Sequence, residues 1–361
     1  MRKHGSAICM AAIVLSALPI CSQVKPRARD LGIPFDGAPG PLKVGVGPVR
    51  TGVTAILPRG KESKDAVFAG DFSLNGNGEM TGTHWVEDSG FLDGPVMITN
   101  THSVGVVRDA VIQWKLKRGD ADMEGYWWSL PVVAETWDGY LNDINGFHVK
   151  AEHAFHALDS ARSGPVQEGS VGGGTGMICN EFKGGIGTSS RTLTAKEGGY
   201  TVGVLVQCNY GEREQLRIAG IPVGREIPAR NIWQQDTGSI IVVVATDAPL
   251  IPTQLKRLAR RVALGVGRDG SYSGDGSGDL FIAFSTANPR AIDQKNKRQI
   301  TMLPNGELGP LFLGTVQATE EAIVNAMVAA EDMKGINNHF VPAIPHDKLV
   351  QVLSKYNRLT K

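Results

Sequence analysis

The junction between Gly238 and Ser239 constrains this chain more than any other feature of its sequence. Ser239 opens the run Ser-Ile-Ile-Val-Val-Val-Ala-Thr over residues 239–246. Branched side chains of this kind fit the pleated surface of a sheet, and an unbroken apolar run is typical of a strand buried on both faces. The sequence therefore predicts a buried strand over residues 240–245, with Ser239 at its beginning.

The same junction has a chemical interpretation. If the bond before Ser239 were cut, the serine would gain a free α-amine beside its hydroxyl, and that amine could act as the base that activates the hydroxyl. The alternative is a loop glycine before an ordinary core strand, which is the commoner meaning of such a junction taken alone. Residues 220–238 are predicted to form a long exposed connection, where a chain break is tolerated.

The bulk properties exclude several classes of protein. The chain has 361 residues, enough for one large domain or two ordinary ones, and its formal net charge is +1. A balanced charge indicates neither nucleic acid nor an anionic membrane as a partner. The 45 glycines lie between β-rich stretches rather than in a repeat, which predicts many tight turns.

The N-terminus has the pattern of an export signal. Arg2, Lys3 and His4 give a positive start, and residues 7–20 are apolar but too short to span a bilayer comfortably. We expect residues 1–22 to be a signal peptide and the mature protein to be periplasmic or secreted. An uncleaved anchor is the alternative.

The predicted elements favour an α+β layered fold over a doubly wound one. Strands are predicted at residues 97–99, 200–208, 240–245 and 280–286, and helices at 104–114, 152–162, 253–264 and 315–333.

Two of the four cysteines, Cys179 and Cys208, fall in the body of the chain, and both have strand-like surroundings. We expect two buried thiols there rather than a disulfide framework.

Several blocks, taken in order, identify a family. They are Asn-Gly-Asn-Gly-Glu-Met-Thr-Gly at 75–82, Thr-Asn-Thr-His-Ser-Val-Gly at 99–105, Pro-Val-Val-Ala-Glu-Thr at 131–136, Val-Gly-Gly-Gly-Thr-Gly-Met at 171–177, Phe-Lys-Gly-Gly-Ile-Gly-Thr at 182–188, and residues 238–250. From residue 27 to the C-terminus the chain resembles the L-aminopeptidase D-amidase/D-esterase (DmpA-type) family, which also contains the β-aminopeptidases.

The resemblance implies a four-layer αββα sandwich with the architecture of N-terminal-nucleophile hydrolases. It also implies one catalytic domain cut by its own chemistry into an α-chain part, residues 23–238, and a β-chain part, residues 239–361. Cleaved αβ units of this kind are expected to form a homo-oligomer.

The resemblance assigns the catalytic roles. Ser239 would first attack the carbonyl of Gly238 and later the substrate. Ser277 would hydrogen-bond Ser239, and Asp279 would orient that network, although relatives often carry the longer glutamate there. Asn209 would donate to the oxyanion; the alternative is an ordinary asparagine at a strand end.

Two residues are expected to bind substrate. Glu135 would pair with a free amino group, because a carboxylate near an apolar wall rejects a blocked terminus that leaves its charge unpaired. Trp137 would shape the acyl pocket. The alternatives are a surface glutamate and a core tryptophan. Substrates would be small peptides, amides or esters with a free amino group.

One departure from the family pattern lies near the N-terminus. Residues 37–42 run directly into residues 43–52, where relatives have a longer insert, so an early hairpin is predicted to be missing.

We therefore expect a self-cleaving serine aminopeptidase. The alternatives are an autoprocessed acyltransferase that passes the acyl group to an amine, and a non-catalytic periplasmic binding protein derived from such an enzyme. Neither a Gly-x-Ser-x-Gly elbow nor a His-Glu-x-x-His motif occurs, so no metal and no cofactor is expected.

Overall fold

The computed structural model describes residues 25, 27–33, 51–122, 124–228, 232, 238–293 and 297–360. The expected signal peptide and the segment with the missing hairpin, residues 37–50, lie outside these residues. Within them, no helix combines the length and the apolar character needed to cross a membrane.

Two sheets form the centre of the molecule, one of six strands in the order β3-β2-β11-β10-β9-β8 and one of three in the order β1-β4-β5. Two short hairpins, β6-β7 and β12-β13, complete the described strands. The strands are β1 Thr54–Ile56, β2 Val67–Gly76, β3 Phe91–Leu92, β4 Val96–Asn100, β5 Val132–Thr136, β6 Ile178–Cys179, β7 Phe182–Lys183, β8 Gly185–Thr192, β9 Thr201–Asn209, β10 Ser239–Thr246, β11 Gly278–Ser285, β12 Met333–Lys334 and β13 Phe340–Val341.

The helices form the outer layers. They are α1 Thr83–Ser89, α2 Val104–Lys117, α3 Ala151–Ser160, α4 Val223–Glu226, α5 Pro252–Arg268, α6 Gly309–Val328 and α7 His346–Lys355.

The β10 strand shows how the layers are stacked. Successive side chains of a strand point to opposite faces. Ile240, Val242 and Val244 belong to the core shared with α5 and α6, whereas Ile241 and Val243 belong to the core between the two sheets. Both faces of β10 are therefore buried, as its apolar run predicts.

The three-stranded sheet is covered on its far side by α2 and α3, because Met97 and Val133 pack there against Val107, Val111 and Leu158. The order of layers is thus α5 and α6, the six-stranded sheet, the three-stranded sheet, then α2 and α3. The expected αββα sandwich is confirmed.

The predicted α6 had the wrong limits. It was expected over residues 315–333, but it begins at Gly309 with Pro310 in its first turn and ends at Val328. Proline is tolerated in the first turn because those N–H groups have no partner within the helix. Residues 333 and 334 instead form β12, which pairs with β13, a contact that local sequence does not reveal.

The prediction of two separate buried thiols was also wrong. Cys179 and Cys208 form a disulfide with their Cα atoms 5.5 Å apart. The two residues are 29 positions apart in the chain, and only the packing of the β6-β7 hairpin against the end of β9 brings them together. Spacing alone does not fix which cysteines pair.

The predicted exposed connection before Ser239 is partly wrong. Residues 221–227 include α4, and Ile221, Val223 and Ile227 are buried in the core on the α5 and α6 side. Residues 229–231 and 233–237 lie outside the described part of the chain.

An ion-pair cluster ties the N-terminal segment to α6. Glu321 lies in the middle of that helix and is buried, with Arg191 at 2.7 Å and Arg29 at 2.7 Å from its carboxylate oxygens. The Ser189 hydroxyl donates to the same carboxylate at 2.8 Å. Burial by itself raises the pKa of Glu321, but the two guanidiniums and the hydroxyl outweigh it and hold the pKa below its usual value.

Candidate active site

The site is built at one end of β10, where three strands meet. Ser239 pairs with Asn209 at the end of β9 and with Gly278 at the start of β11. Each of the three lies an even number of positions along its strand from residues of the inter-sheet core. Because side chains alternate between the two faces of a strand, all three positions lie on the face toward the three-stranded sheet.

Ser239 is 6% exposed, and its Oγ accepts a hydrogen bond from the Gly278 N–H at 3.2 Å. The same N–H lies 3.2 Å from the carbonyl oxygen of Gly238. The hydroxyl and the carbonyl that precedes it in the chain therefore share one backbone donor.

Gly238 is a glycine for a steric reason. A Cβ at this position would lie 2.1 Å from the carbonyl oxygen of Asn209 and 2.4 Å from the Cα of Tyr210. Real Cβ atoms do not approach other atoms so closely, so only glycine lets the chain enter β10 against the end of β9.

Ser277 and Asp279 are brought together, but not in the order expected. The Ser277 hydroxyl donates to Asp279 Oδ1 at 2.7 Å, and the hydroxyl of Ser273 donates to Oδ2. The Oγ of Ser239 is bonded instead to the N–H of Gly278, the residue between them, so the expected bond from Ser277 to Ser239 is not made. The short Asp279 thus reaches two serines of its own loop, and this cluster fixes the turn that presents the Gly278 N–H.

Asn209 is held at both ends of its carboxamide. Its Oδ1 accepts from the Ile178 N–H at 2.8 Å, and its Nδ2 donates to the carbonyl of Trp137 at 2.9 Å. A carboxamide nitrogen carries two N–H bonds, and the Trp137 carbonyl accepts one of them. The Ile178 donor fixes which end of the amide is oxygen, which orients the Nδ2 donor.

Glu135, near the end of β5, is 3% exposed and is therefore not the surface glutamate of the alternative reading. It accepts from the Glu79 N–H at 2.9 Å and from the hydroxyl of Thr101. Burial raises the pKa of Glu135, and these two donors only partly offset that effect. A cationic partner would relieve the cost of ionising this carboxyl.

The carboxylate of Glu135 is close to the serine. A Cβ built on Gly78 would lie 3.3 Å from Glu135 Oε1 and 3.2 Å from the Cα of Gly278. Gly78 therefore lies between the Glu135 carboxylate and Gly278, whose N–H donates to Ser239 Oγ.

Trp137 follows β5 and is 42% exposed, so it is not the core tryptophan of the alternative reading. Next to it, burial raises the pKa of Asp138 to about 6, although Asn142 and Asn100 donate to its carboxylate. The exposed ring of Trp137 is thus followed in the chain by a buried carboxyl.

Sequence reasoning missed several residues that support the site. Thr101 and Ser273 each donate to one of the two carboxylates, and Asn75 anchors the 270–279 loop by donating to the Gly274 carbonyl at 2.6 Å. Thr101 and Asn75 stand in blocks that carry the family resemblance, which was the available signal. Ser273, with φ at 57°, sits in a loop that local sequence describes only as a turn.

No group of three or more His, Cys, Asp or Glu side chains in the described part of the chain is arranged to hold a metal ion.

A serine that begins a central strand of an αββα sandwich, next to a glycine and an asparagine, is the arrangement of an N-terminal-nucleophile hydrolase. Comparison with known proteins agrees. The family model of "Peptidase family S58", which describes the sequences of that family, matches residues 40–341. The β-peptidyl aminopeptidase BapA of Sphingosinicella microcystinivorans is 51% identical over 373 residues, covering 92% of this chain and 93% of that protein.

Two solved structures are also similar. The L-aminopeptidase D-Ala-esterase/amidase from Ochrobactrum anthropi, described as a prototype for the serine aminopeptidases and a variant of the Ntn hydrolase fold, has 48% identity and a TM-score of 0.87, covering 93% of this chain and all of that one. A Burkholderia sp. β-aminopeptidase has 44% identity and a TM-score of 0.85, covering 91% of this chain and 99% of its own. The present chain belongs to peptidase family S58 and is a serine-type aminopeptidase.

Proposed function

We propose that this aminopeptidase cuts its own chain between Gly238 and Ser239 and then acts through an acyl-Ser239 intermediate. The supporting observation is the Gly278 N–H, 3.2 Å from both Ser239 Oγ and the Gly238 carbonyl oxygen. A backbone donor beside the carbonyl oxygen of Gly238 stabilises the negative charge that develops there when the carbonyl is attacked, and Ser239 Oγ lies within reach of the same N–H.

The proposed self-cleavage takes place in three steps. Ser239 Oγ attacks the carbonyl carbon of Gly238, and the Gly278 N–H stabilises the oxyanion. The C–N bond to Ser239 then breaks, the hydroxyl proton passes to the departing amine, and Gly238 is left as an ester on Oγ. Water hydrolyses that ester, which gives a Gly238 carboxylate and a free α-amine on Ser239. The products are residues up to 238 and residues 239–361.

In the mature enzyme the new α-amine of Ser239 acts as general base for its own hydroxyl. Oγ attacks the substrate carbonyl, Asn209 donates to the oxyanion, and the leaving amine takes the proton. Water then hydrolyses the acyl-Ser239 ester. The Ser273-Asp279-Ser277 cluster holds the Gly278 turn in place throughout.

Glu135 binds the free amino group of the substrate. Its buried carboxylate has only neutral donors within the described part of the structure, so an ammonium supplies the missing positive charge. An N-acetylated substrate lacks that charge and leaves the carboxylate unpaired, which is the physical basis of exopeptidase selection.

The decisive experiment is intact mass of purified Ser239→Ala. It should remain one uncut chain without activity, while Ser354→Ala, an exposed serine on α7, should be cut and active like the wild type. Two fragments from Ser239→Ala would refute self-cleavage by this hydroxyl.

The roles of Asn209 and Glu135 are tested by kinetics. Asn209→Leu should lower kcat by about 100-fold or more with a much smaller change in KM, as for loss of one oxyanion donor. N-acetylated substrates should be cleaved far more slowly than free amines. If Asn209→Leu weakened substrate binding as much as it lowered kcat, the oxyanion role of Asn209 would be contradicted. If N-acetylated and free-amine substrates were cleaved equally fast, the role of Glu135 would be contradicted.

The relatives suggest which substrates to try first. Peptides with an N-terminal β-amino acid follow from the two β-peptidyl aminopeptidases that are 51% and 45% identical. Peptides with an N-terminal L-amino acid, and D-Ala esters and amides, follow from the Ochrobactrum enzyme.

We also propose that the protein is exported and works as an oligomer of cleaved αβ units. The Cys179–Cys208 disulfide supports export, since such bonds persist in oxidising compartments. The exposed side chains of Tyr126 and Trp128 support an interface. N-terminal sequencing of periplasmic material and light scattering test the two points.

A further inference from the structure

Lys183 is a buried lysine with no carboxylate beside it. Its relative exposure is 0%, and none of the ion pairs in the described part of the chain includes it. Burying an unpaired ammonium is costly, so lysines are rarely found in such places. The mechanism described above does not use this residue, although it lies next to the site.

The Lys183 ammonium is aimed at two backbone carbonyls. Nζ donates to the Met177 oxygen at 2.7 Å and to the Gly184 oxygen at 2.8 Å. Burial, together with a smaller effect of the Lys25 charge, lowers the pKa of Lys183 to about 7. Near neutral pH both the ammonium and the amine exist, and either can donate to the two carbonyls.

The Met177 carbonyl belongs to the same peptide group as the Ile178 N–H, which donates to Asn209 Oδ1 at 2.8 Å. One peptide plane thus connects Lys183 at its oxygen with Asn209 at its nitrogen. Hydrogen bonds in such a chain polarise one another, so a cation at the carbonyl end makes the N–H a stronger donor. A stronger bond at Oδ1 in turn increases the positive character of the Nδ2 hydrogens.

This connection is held rigidly. The Cys179–Cys208 disulfide joins the β6-β7 hairpin to the residue before Asn209. The Asn180 N–H donates to the Tyr210 carbonyl at 2.7 Å, on the other side of Asn209. A Cβ on Gly184 would lie 2.6 Å from the Cys208 carbonyl oxygen, so the hairpin and the end of β9 are in backbone contact. The lysine therefore keeps a fixed position relative to the asparagine.

We propose that Lys183 is a positioning residue that polarises and orients the Asn209 carboxamide through the 177–178 peptide group, and so strengthens it as a donor to the oxyanion. This inference rests on the proposed role of Asn209.

The test is a double-mutant cycle in the self-cleaved enzyme. Lys183→Met keeps an unbranched apolar chain that is one atom shorter and removes both the charge and the donors. It should lower kcat roughly tenfold with KM within about twofold, because the interaction is used in the transition state. In an Asn209→Ala background the same change should have almost no further effect, since its route to the substrate is gone.

Two controls separate this role from simple packing. Lys115 is another buried lysine, and it pairs with Asp93 at 2.8 Å, just before the start of β4. Lys115→Met should leave kcat unchanged. Lys183→Gln restores a neutral donor and should recover part of the lost kcat. A Lys183→Met variant that folds but is not cut would also count against the inference, because the proposed role concerns the Asn209 donor to the substrate oxyanion and not the self-cleavage step.

Each outcome is decisive. Full additivity of the Lys183 and Asn209 changes, an unchanged kcat in Lys183→Met, or failure of both Lys183 variants to fold would overturn the inference, because the lysine would then act on stability alone or not at all. An unchanged kcat in Asn209→Ala would instead refute the proposed role of the asparagine.

Discussion

Replacing Gly238 by alanine gives a sharp test of how the site is assembled. The added Cβ would lie 2.1 Å from the Asn209 carbonyl oxygen, whereas ordinary van der Waals contact begins at 3.4 Å. Because that oxygen and the Tyr210 Cα are backbone atoms of a paired strand, neither can rotate away. The entrance to β10 must therefore move by roughly 1 Å, and a displacement of that size at reacting groups costs on the order of 100-fold in rate.

The assay is a time course of intact mass after rapid purification, which follows the conversion of the full chain into its two fragments. Gly238→Ala should be cut about 100-fold more slowly and should lose about 1–3 kcal/mol of unfolding free energy from overpacking. Gly267→Ala is the matched control, because its Cβ meets nothing within 4 Å; as a helix glycine it should gain about 0.5–1 kcal/mol and be cut normally. Normal processing and unchanged stability in Gly238→Ala would refute the steric argument.

Three further predictions concern the frame and the substrate pocket. Replacing both Cys179 and Cys208 by serine should cost about 3–4 kcal/mol in urea unfolding, the loop entropy expected for a 29-residue separation; a loss under 1 kcal/mol would contradict it. Glu321→Gln should cost about 3 kcal/mol at pH 7 by removing the carboxylate that pairs with the buried Arg191 and the partly exposed Arg29, whereas Glu320→Gln, whose arginine partner is half exposed, should cost under about 1 kcal/mol. The pKa of Glu321 is lower in the folded protein than in the unfolded chain, so ionised Glu321 stabilises the fold above the unfolded pKa. This stabilisation is lost as pH falls through the folded pKa. The difference in unfolding free energy between wild type and Glu321→Gln should therefore narrow in acid. Burial raises the pKa of Glu135, so kcat/KM should decline as pH falls through that raised pKa; Glu135→Gln should lack this acid limb, and a wild-type profile without it would argue against pairing with the substrate ammonium.

Strands β4, β9, β10 and β11 and helices α2, α3 and α5 were predicted because their signals are local, whereas strands β2, β5 and β8 were not predicted. The β10 run, the apolar periodicity of α5 and the strand that became β9 all appeared close to their true limits. The errors came where a distant partner decides the outcome. The end of α6, the burial of residues 221–227 and the Cys179–Cys208 bond each depend on packing between segments that are far apart in the chain.

The candidate site shows the same division. The family resemblance predicted roles for Ser239, Asn209 and Glu135, but not the order of hydrogen bonds among Ser273, Ser277 and Asp279, nor the contacts of Lys183. Hydrogen bonds form between particular atoms, and their partners are set by the folded backbone rather than by residue type.

By itself, the sequence determined a buried strand that opens on a serine, the layered α+β class and the family, because propensity, periodicity and ordered motifs are all written along the chain. Only the tertiary structure decided that the N–H of Gly278 lies near both Ser239 Oγ and the Gly238 carbonyl oxygen. It also decided that Gly78 lies between the Glu135 carboxylate and Gly278, and that Asn209 is held by a disulfide-linked hairpin. The physical reason is that these contacts join residues from separate strands, and their distances are fixed only when the two sheets and their helices pack together.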